Sequence, residues 1–347
     1  MRNFAALVAL ALGLAVFTPL ASAASPVLRV VFVDVEGGQA TLFVTPTGQS
    51  LLIDTGWAGH QNRDADRIAA AAKQAGLHKI DYVLLTHYHP DHTGGVPQLV
   101  ATFPVGTFID HGPLAGDGNP GTRSIWQAYQ NVLATGKYGH LTAKPGEVLP
   151  LTGVTATVVS SDGKLIDHNL AGGGAPNPFC AVADHWAPDT SENAYSVGVM
   201  IQYGKFKMLD LGDLTADKDR QMVCPNNRLG QVSLYVLANH GMTPSSSHAL
   251  VDGIHPEVVV MDNGPYKGGS VGALDMVKSI PGLLALWQLH YTPISTTHNT
   301  VVADIVNDQK DFMAPDPALP LDVTAQSDGQ FAVYNPRTKA TAHYPAR

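Results

Sequence analysis

Thr86-His87-Tyr88-His89-Pro90-Asp91-His92 follows the apolar run Tyr82-Val83-Leu84-Leu85 and concentrates three histidines and a carboxylate in one short stretch. Residues two apart on extended backbone point to the same side, so His87 and His89 share a face. Pro90 then opens a turn that brings Asp91 and His92 round. A loop at the end of a strand can thus aim four ligands at two neighbouring points. Neutral imidazoles with a carboxylate suit Zn²⁺ and similar divalent ions. The order H-x-H-x-D-H therefore reads as half of a metal site rather than as a run of solvated loop histidines.

The flanking pattern supplies the elements that would hold such a loop. Val27–Val35 is a β-branched run bounded by Gly37-Gly38 and reads as a buried strand. Strands are also expected over 40–44, 50–54, 82–85 and 106–110, with helices over 64–75, 96–102 and 122–134. Farther on, strands are expected over 196–203, 206–211, 234–238 and 258–261, a helix over 246–254, and two strands near 321–323 and 331–334. The glycine- and proline-rich stretch 172–178 reads as loop, inside an irregular segment spanning 161–190. No fixed short repeat and no linker interrupts this alternation, which points to one domain from about 27 to 347.

The chain has 347 residues, 45% hydrophobic and 14% charged, enough for a large core. Met1-Arg2-Asn3, the apolar stretch 4–20 and Ala21-Ser22-Ala23 read as a secretory signal peptide over residues 1–23, in preference to a membrane anchor. No other segment reads as a membrane span, so the mature chain is expected to be exported, periplasmic or secreted. The full chain's formal net charge of −8, or −9 once Arg2 is removed with the leader, argues against a general nucleic-acid-binding surface, which relies on Lys and Arg. Export makes a bridge between Cys180 and Cys224 plausible, with two free thiols as the alternative.

The histidine loop resembles the signature of the metallo-β-lactamase superfamily. Leu52-Ile53-Asp54-Thr55-Gly56, Met208-Leu209-Asp210-Leu211-Gly212-Asp213 and Leu237-Ala238-Asn239-His240-Gly241 resemble further motifs of that superfamily, in its order. Within it, Phe32-Val33-Asp34-Val35-Glu36-Gly37-Gly38-Gln39-Ala40 and Glu192-Asn193-Ala194-Tyr195-Ser196-Val197 are similar to the hydrolase domain of ComEC-type competence proteins and its exported stand-alone relatives. The resemblance implies an αββα sandwich of the α/β (α+β) class and a metal-dependent hydrolase. It implies two divalent metal ions, Zn²⁺ first with Mn or Fe as alternatives. His87 and His89 would hold one ion, Asp91, His92 and His240 the other, with Asp213 bridging. Such a pair activates a water at neutral pH, and Asp91 and Asp213 are the catalytic carboxylates, Asp91 also orienting that water.

Two positions depart from the superfamily pattern. Glu192 stands where many members carry a third histidine for the first metal, leaving water, Glu192 or a histidine from elsewhere to complete it. His111, His168 and His185 are the spare candidates, each read first as a surface or supporting residue. Asn239 stands where ComEC-type sequences often have a histidine. Asp54 is expected to support a ligand rather than to be one. Asn239, Asn263 and Tyr266 are candidate donors to a substrate oxygen, and Lys267 could face an anionic substrate. His290 could approach the metals, although Trp287–Tyr291 reads first as core edge. Ser245–Ser247 reads as a helix N-cap rather than a nucleophile. The substrate expected is a small molecule or phosphodiester. The rivals are an amide or lactone, β-lactams included, and a metal-binding protein without turnover.

Overall fold

In the strand Leu28–Phe32, Leu28, Val30 and Phe32 face one core while Val31, with Val33 just beyond, faces another. Both faces are covered, which is why the run is almost wholly apolar. The same division holds along the neighbouring strands: Leu51 and Ile53 against Leu52, Leu84 against Val83, Ile109 against Phe108. The inner set meets Val158, Val199, Ile201, Met208, Val236, Val260 and Leu289 of a second sheet. The outer set packs beneath helices Arg63–Gln74, Val96–Thr102 and Pro120–Leu133. On the far side of the second sheet, Leu209, Tyr235, Val259 and Leu286 lie under helices Ala216–Val223, His248–Ile254 and Val271–Lys278. The result is the four-layer αββα sandwich. The structure is a computed structural model that describes residues 1, 26–116, 119–181, 186–244, 246–311 and 313–347.

The first sheet runs in the order Ala340–Tyr344, Phe331–Asn335, Leu321–Ala325, Leu28–Phe32, Thr41–Val44, Ser50–Ile53, Ile80–Leu84, Val105–Asp110, Gly139–Thr142. The second runs Ile305–Asn307, Ala285–His290, Val258–Met261, Leu234–Val236, Phe206–Asp210, Gly198–Tyr203, Thr155–Ser161, Lys164–Leu165. Leu321–Ala325 pairs antiparallel with Leu28–Phe32, closing the end of the chain onto its start.

What positions the site is a parallel block in each sheet. Ser50–Ile53, Ile80–Leu84 and Val105–Asp110 are parallel. So are Phe206–Asp210, Leu234–Val236, Val258–Met261 and Ala285–His290. Their carboxyl ends lead into Asp54, the 86–92 loop, Asp213, His240 and Asp262. Parallel α/β sheets place their ligands at such ends.

The strand expected over 27–35 ends its regular ladder at Phe32, since Glu36 adopts positive φ and the chain turns back. Between 161 and 190, Ala175–Pro176 pairs with Asn226–Asn227, and Cys180 is bonded to Cys224 with Cα atoms 5.7 Å apart. The leader expected over 1–23, apart from Met1, and His185 lie outside the described residues. Among the described residues no helix is long and apolar enough to cross a membrane.

Candidate metal centre

The histidine loop is held from behind by the residue between its first two histidines. Tyr88 points away from His87 and His89, is fully buried, and donates its hydroxyl to Gly112 O at 2.5 Å. Past Pro90 the chain makes one helical turn, Pro90–Thr93, with proline at the position where a missing N–H costs nothing. Thr93 Oγ1 donates to His87 O at 2.7 Å and closes the loop on itself.

The Gly-Asp loop comes against it so closely that Gly212, at φ +56°, admits no side chain. A Cβ there would lie 2.7 Å from Thr86 Cβ. Asp54, Asn239 and His240 also adopt positive φ, at 61°, 52° and 52°. Asp, Asn and His are the side chains that best tolerate left-handed backbone. Here it turns the chain sharply at strand ends, so that side chains from both sheets converge.

Four ligand atoms meet at the centre. His92 Nε2 and His240 Nε2 are 3.1 Å apart. Each is 3.3 Å from Asp213 Oδ1, and they lie 3.2 and 3.1 Å from Asp91 Oδ2. A tetrahedral ion with bonds of about 2.0 Å spaces its ligands about 3.3 Å apart. The two Nε2 atoms therefore sit, from each other and from both carboxylate oxygens, at the separations that a zinc-sized cation requires.

The proton assignment of the two imidazoles argues the same way. His92 Nδ1 faces Asp54 Oδ2 at 2.7 Å, and His240 Nδ1 faces Asp262 Oδ1 at 3.1 Å. With each Nδ1–H turned toward its carboxylate, neutral imidazoles would direct two Nε2 lone pairs at each other. Two acceptors do not bond; a cation between them resolves the arrangement. Asp213 Oδ1 is likewise buried without a hydrogen-bond partner.

The electrostatics show the same demand for positive charge. Burial opposes charge on His92, but Asp213, Asp91 and Asp54 outweigh it and hold its pKa well above the usual value. Burial and Lys267 oppose charge on His240, yet Asp213 and Asp262 push it up to about 9. Burial would raise Asp91 and Asp213, but His92 first among their cationic partners keeps both well below the ordinary carboxylate range.

A second group adjoins the first. His87 Nε2 is 3.0 Å from His89 Nδ1 and 3.9 Å from Asp213 Oδ2. Asp213 thus turns one oxygen toward each group. Burial, then His92 and His89, hold the His87 imidazole well below its ordinary pKa, the state in which it can act as a ligand. His87, His89, Asp91, His92, Asp213 and His240 are all brought together, in two groups that share Asp213.

Other expected participants lie elsewhere. Glu192 is buried but turned away from the centre, accepting from His111 Nε2 at 2.7 Å and from backbone N–H groups. His111 is engaged with Glu192, and His168 is exposed beside Asp167. His290 bonds Asp34 at 2.7 Å, in a separate cluster with Asp316 that Arg67 bridges. Asn263 spends its amide N–H groups on Gly264 O and His290 O, so it is not a free donor. Tyr266 is exposed on the rim. Lys267 places its ammonium against Asp91 Oδ2 and 5.3 Å above the Trp57 ring. Ser247 caps helix His248–Ile254, accepting from Leu250 N, while Ser245 lies outside the described residues.

Asp262 was not visible as a site residue. Met261-Asp262-Asn263-Gly264 reads as the start of a turn, and only its place at the end of a parallel strand, level with His240, distinguishes it. Gln39 is a second such residue: its amide donates to the buried Asp210 at 2.7 Å and ties the first turn to the Gly-Asp strand.

Residues 33–170 match the family model described as Metallo-beta-lactamase superfamily. The chain is 21% identical over 243 residues to "Recombination protein 2" of Haemophilus influenzae, covering 70% of this chain but only 25% of that protein. It is 33% identical over 105 residues to "Hydroxyacylglutathione hydrolase" of Stenotrophomonas maltophilia, 30% of this chain and 37% of that enzyme. Among solved structures, the metallo-beta-lactamase fold protein YhfI from Bacillus subtilis aligns at TM-score 0.48 and 13% identity, covering 76% of this chain and 96% of that one.

Proposed function

We propose that this chain, whose residues 33–170 match the metallo-β-lactamase superfamily model, is an exported two-metal hydrolase acting on phosphodiester or other phosphate ester bonds. The observation that carries the metal reading is the approach of the Nε2 atoms of His92 and His240, 3.1 Å apart beside the carboxylates of Asp91 and Asp213. Asp91, His92, Asp213 and His240 hold one ion, and His87, His89 and Asp213 the other. The mixed imidazole and carboxylate set suits Zn²⁺, with Mn or Fe as alternatives. Two such ions would lower the pKa of a water and polarise the oxygen under attack.

The chain's own side chains prepare that chemistry. Asp54 and Asp262 fix the tautomers of His92 and His240, so that both Nε2 atoms are available as ligands. Tyr88 and Thr93 keep the His87–His89 pair in place. Asp91 lies between the ligand group and Lys267, where it can accept a hydrogen bond from an incoming nucleophile. Lys267 supplies the positive charge at the rim, and this favours an anionic substrate over a neutral amide. Similarity to a recombination protein supports a phosphodiester. The acidic chain supports a small substrate or a single ester group rather than duplex held along a basic surface.

A second reading is hydrolysis of a carboxylic ester, thioester or lactone. It is supported by the similarity to hydroxyacylglutathione hydrolase and by Lys267 being engaged with Asp91 rather than standing free. The test is a panel of a chromogenic phosphodiester, a lactone and a β-lactam, assayed with the mature chain, with and without chelator, and with Asp213→Ala. Chelator-sensitive turnover of the phosphodiester alone is expected. Turnover of the lactone alone transfers the assignment to the second reading. Tight metal binding with no turnover of any substrate leaves a metal-binding protein.

A further inference from the structure

Among the described residues, the His87–His89 group has one other side chain to complete it, Asp213, whereas its neighbour has four donors. Two imidazoles that converge without a third must be held in place by their backbone, and what holds it is on the opposite side of the loop. Glu192 is completely buried, in the short helical turn Glu192–Tyr195. Its Oε1 accepts from Tyr88 N at 3.3 Å and from His111 Nε2 at 2.7 Å, and its Oε2 accepts from Ala115 N at 2.9 Å. Tyr88 is the residue between the two ligands. Its ring lies 4.5 Å from that of His111, and its hydroxyl is bonded to Gly112 O, next to His111. The same segment continues into Val197 N, which donates to Thr86 O at 2.8 Å. The histidine pair is therefore gripped from Thr86 to Tyr88.

Glu192 and His111 are a poor solution to stability alone. A buried carboxyl–imidazole pair is often no more stable than apolar residues of the same size. His111 Nδ1 is moreover buried without a partner, an unmet polar group that a purely structural core would avoid. What the pair does have is contact with the backbone of a ligand loop.

We infer that Glu192 and His111 are positioning residues that hold the His87-Tyr88-His89 backbone so that its two imidazoles stay convergent for one of the two divalent cations. The inference rests on the two-metal reading. It assigns the pair to one half of the centre: losing it weakens the His87–His89 site and leaves the site of Asp91, His92 and His240 intact. Supporting partners of metal ligands typically contribute about 10- to 100-fold in affinity.

The experiment is titration of the chelator-stripped full chain with Zn²⁺ alone. It is followed by calorimetry and by metal analysis after dialysis, with circular dichroism to establish folding. Wild type is expected to take up two equivalents. Glu192→Ala should weaken one of them by roughly 10- to 100-fold and leave the other unchanged. His111→Ala should weaken the same equivalent. Glu192→Gln, which keeps an oxygen for Tyr88 N–H but turns an NH₂ toward Ala115 N–H, should weaken it less. If Glu192→Ala does not fold, Glu192→Gln and His111→Ala decide. Folded variants that retain both equivalents at wild-type affinity overturn the inference, as does parallel weakening of both, which marks a general structural role. Wild type binding fewer than two ions overturns the two-metal reading itself, and is recognised before any variant is compared.

Discussion

Asp54 Oδ2 lies 2.7 Å from His92 Nδ1 and 2.6 Å from the Thr86 hydroxyl, and its other oxygen accepts from Thr86 N at 2.8 Å. One buried carboxylate thus sets the tautomer of a ligand and anchors the first residue of the loop that carries it. Asp54→Ala is expected to raise the dissociation constant for the ion at His92 by about 10- to 100-fold. Zinc competition against a chromogenic chelator measures this. An unchanged constant in a folded variant removes Asp54 from the centre.

Lys267 provides a separate handle on substrate charge. Lys267→Ala should lower kcat/KM for an anionic phosphodiester by roughly 10- to 100-fold, since a charged hydrogen bond contributes about 1.5–3 kcal/mol. The loss should fall mainly on KM, and a neutral ester should show a much smaller change. Equal losses on both substrates would mean that Lys267 acts through Asp91 instead.

Asp210 supplies a pH dependence. Burial, with Asp262 and Asp54 nearby, pushes its carboxyl up to about 7, although Gln39 and Gly212 N–H groups oppose this. An unfolded aspartate titrates near about 3.9. Between those values the folded chain binds more protons than the unfolded one, so this residue's contribution to stability is present at low pH and is lost as pH rises to about 7. Asp210→Asn should gain on wild type across that window, by at most about 4 kcal/mol, and the gain should level off above it. Urea unfolding of chelated protein at a series of pH values reads the difference; a difference that does not vary with pH contradicts the assignment.

The Cys180–Cys224 bridge closes a separation of 44 residues. The loop-entropy estimate for that length is about 4 kcal/mol, and measured effects generally fall at about 2–4 kcal/mol. Replacing both cysteines by serine should lower stability by that amount, measured by denaturant unfolding. The metal centre should keep its zinc stoichiometry, because neither cysteine is among its ligands.

The convergence of His87, His89, Asp91 and His92 was readable because these residues are chemically unusual and their spacing is local, whereas Asp213 and His240 were reached through the resemblance of their motifs. The fold was implied by the resemblance of the motifs; apolar runs buried on both faces, such as Leu28–Phe32, are compatible with it but would not alone have selected it. What escaped notice depended on contacts between distant segments. Asp262 matters only because its strand runs beside that of His240, and Glu192 points toward His111 because both flank Tyr88. All four residues of the strand Gly139–Thr142 are exposed, and it carries no apolar alternation to betray it. In Ala285–His290, the buried polar Gln288 and His290 disguise an interior strand as core edge.

Asp91 and His92 come from a loop of one sheet, Asp213 and His240 from loops of the other. An ion held by these four would therefore be a rivet through the sandwich, adding to the polar ties, such as Gln39 to Asp210 and Val197 N to Thr86 O, that already join the two layers at that edge. Prising the layers apart would mean surrendering the ion, so a chelator should lower the stability of the fold as well as inhibit. Above the site's dissociation constant, each tenfold rise in free metal should add about 1.4 kcal/mol to the force of that rivet. The melting temperature of this chain then becomes a gauge of the metal supply around it.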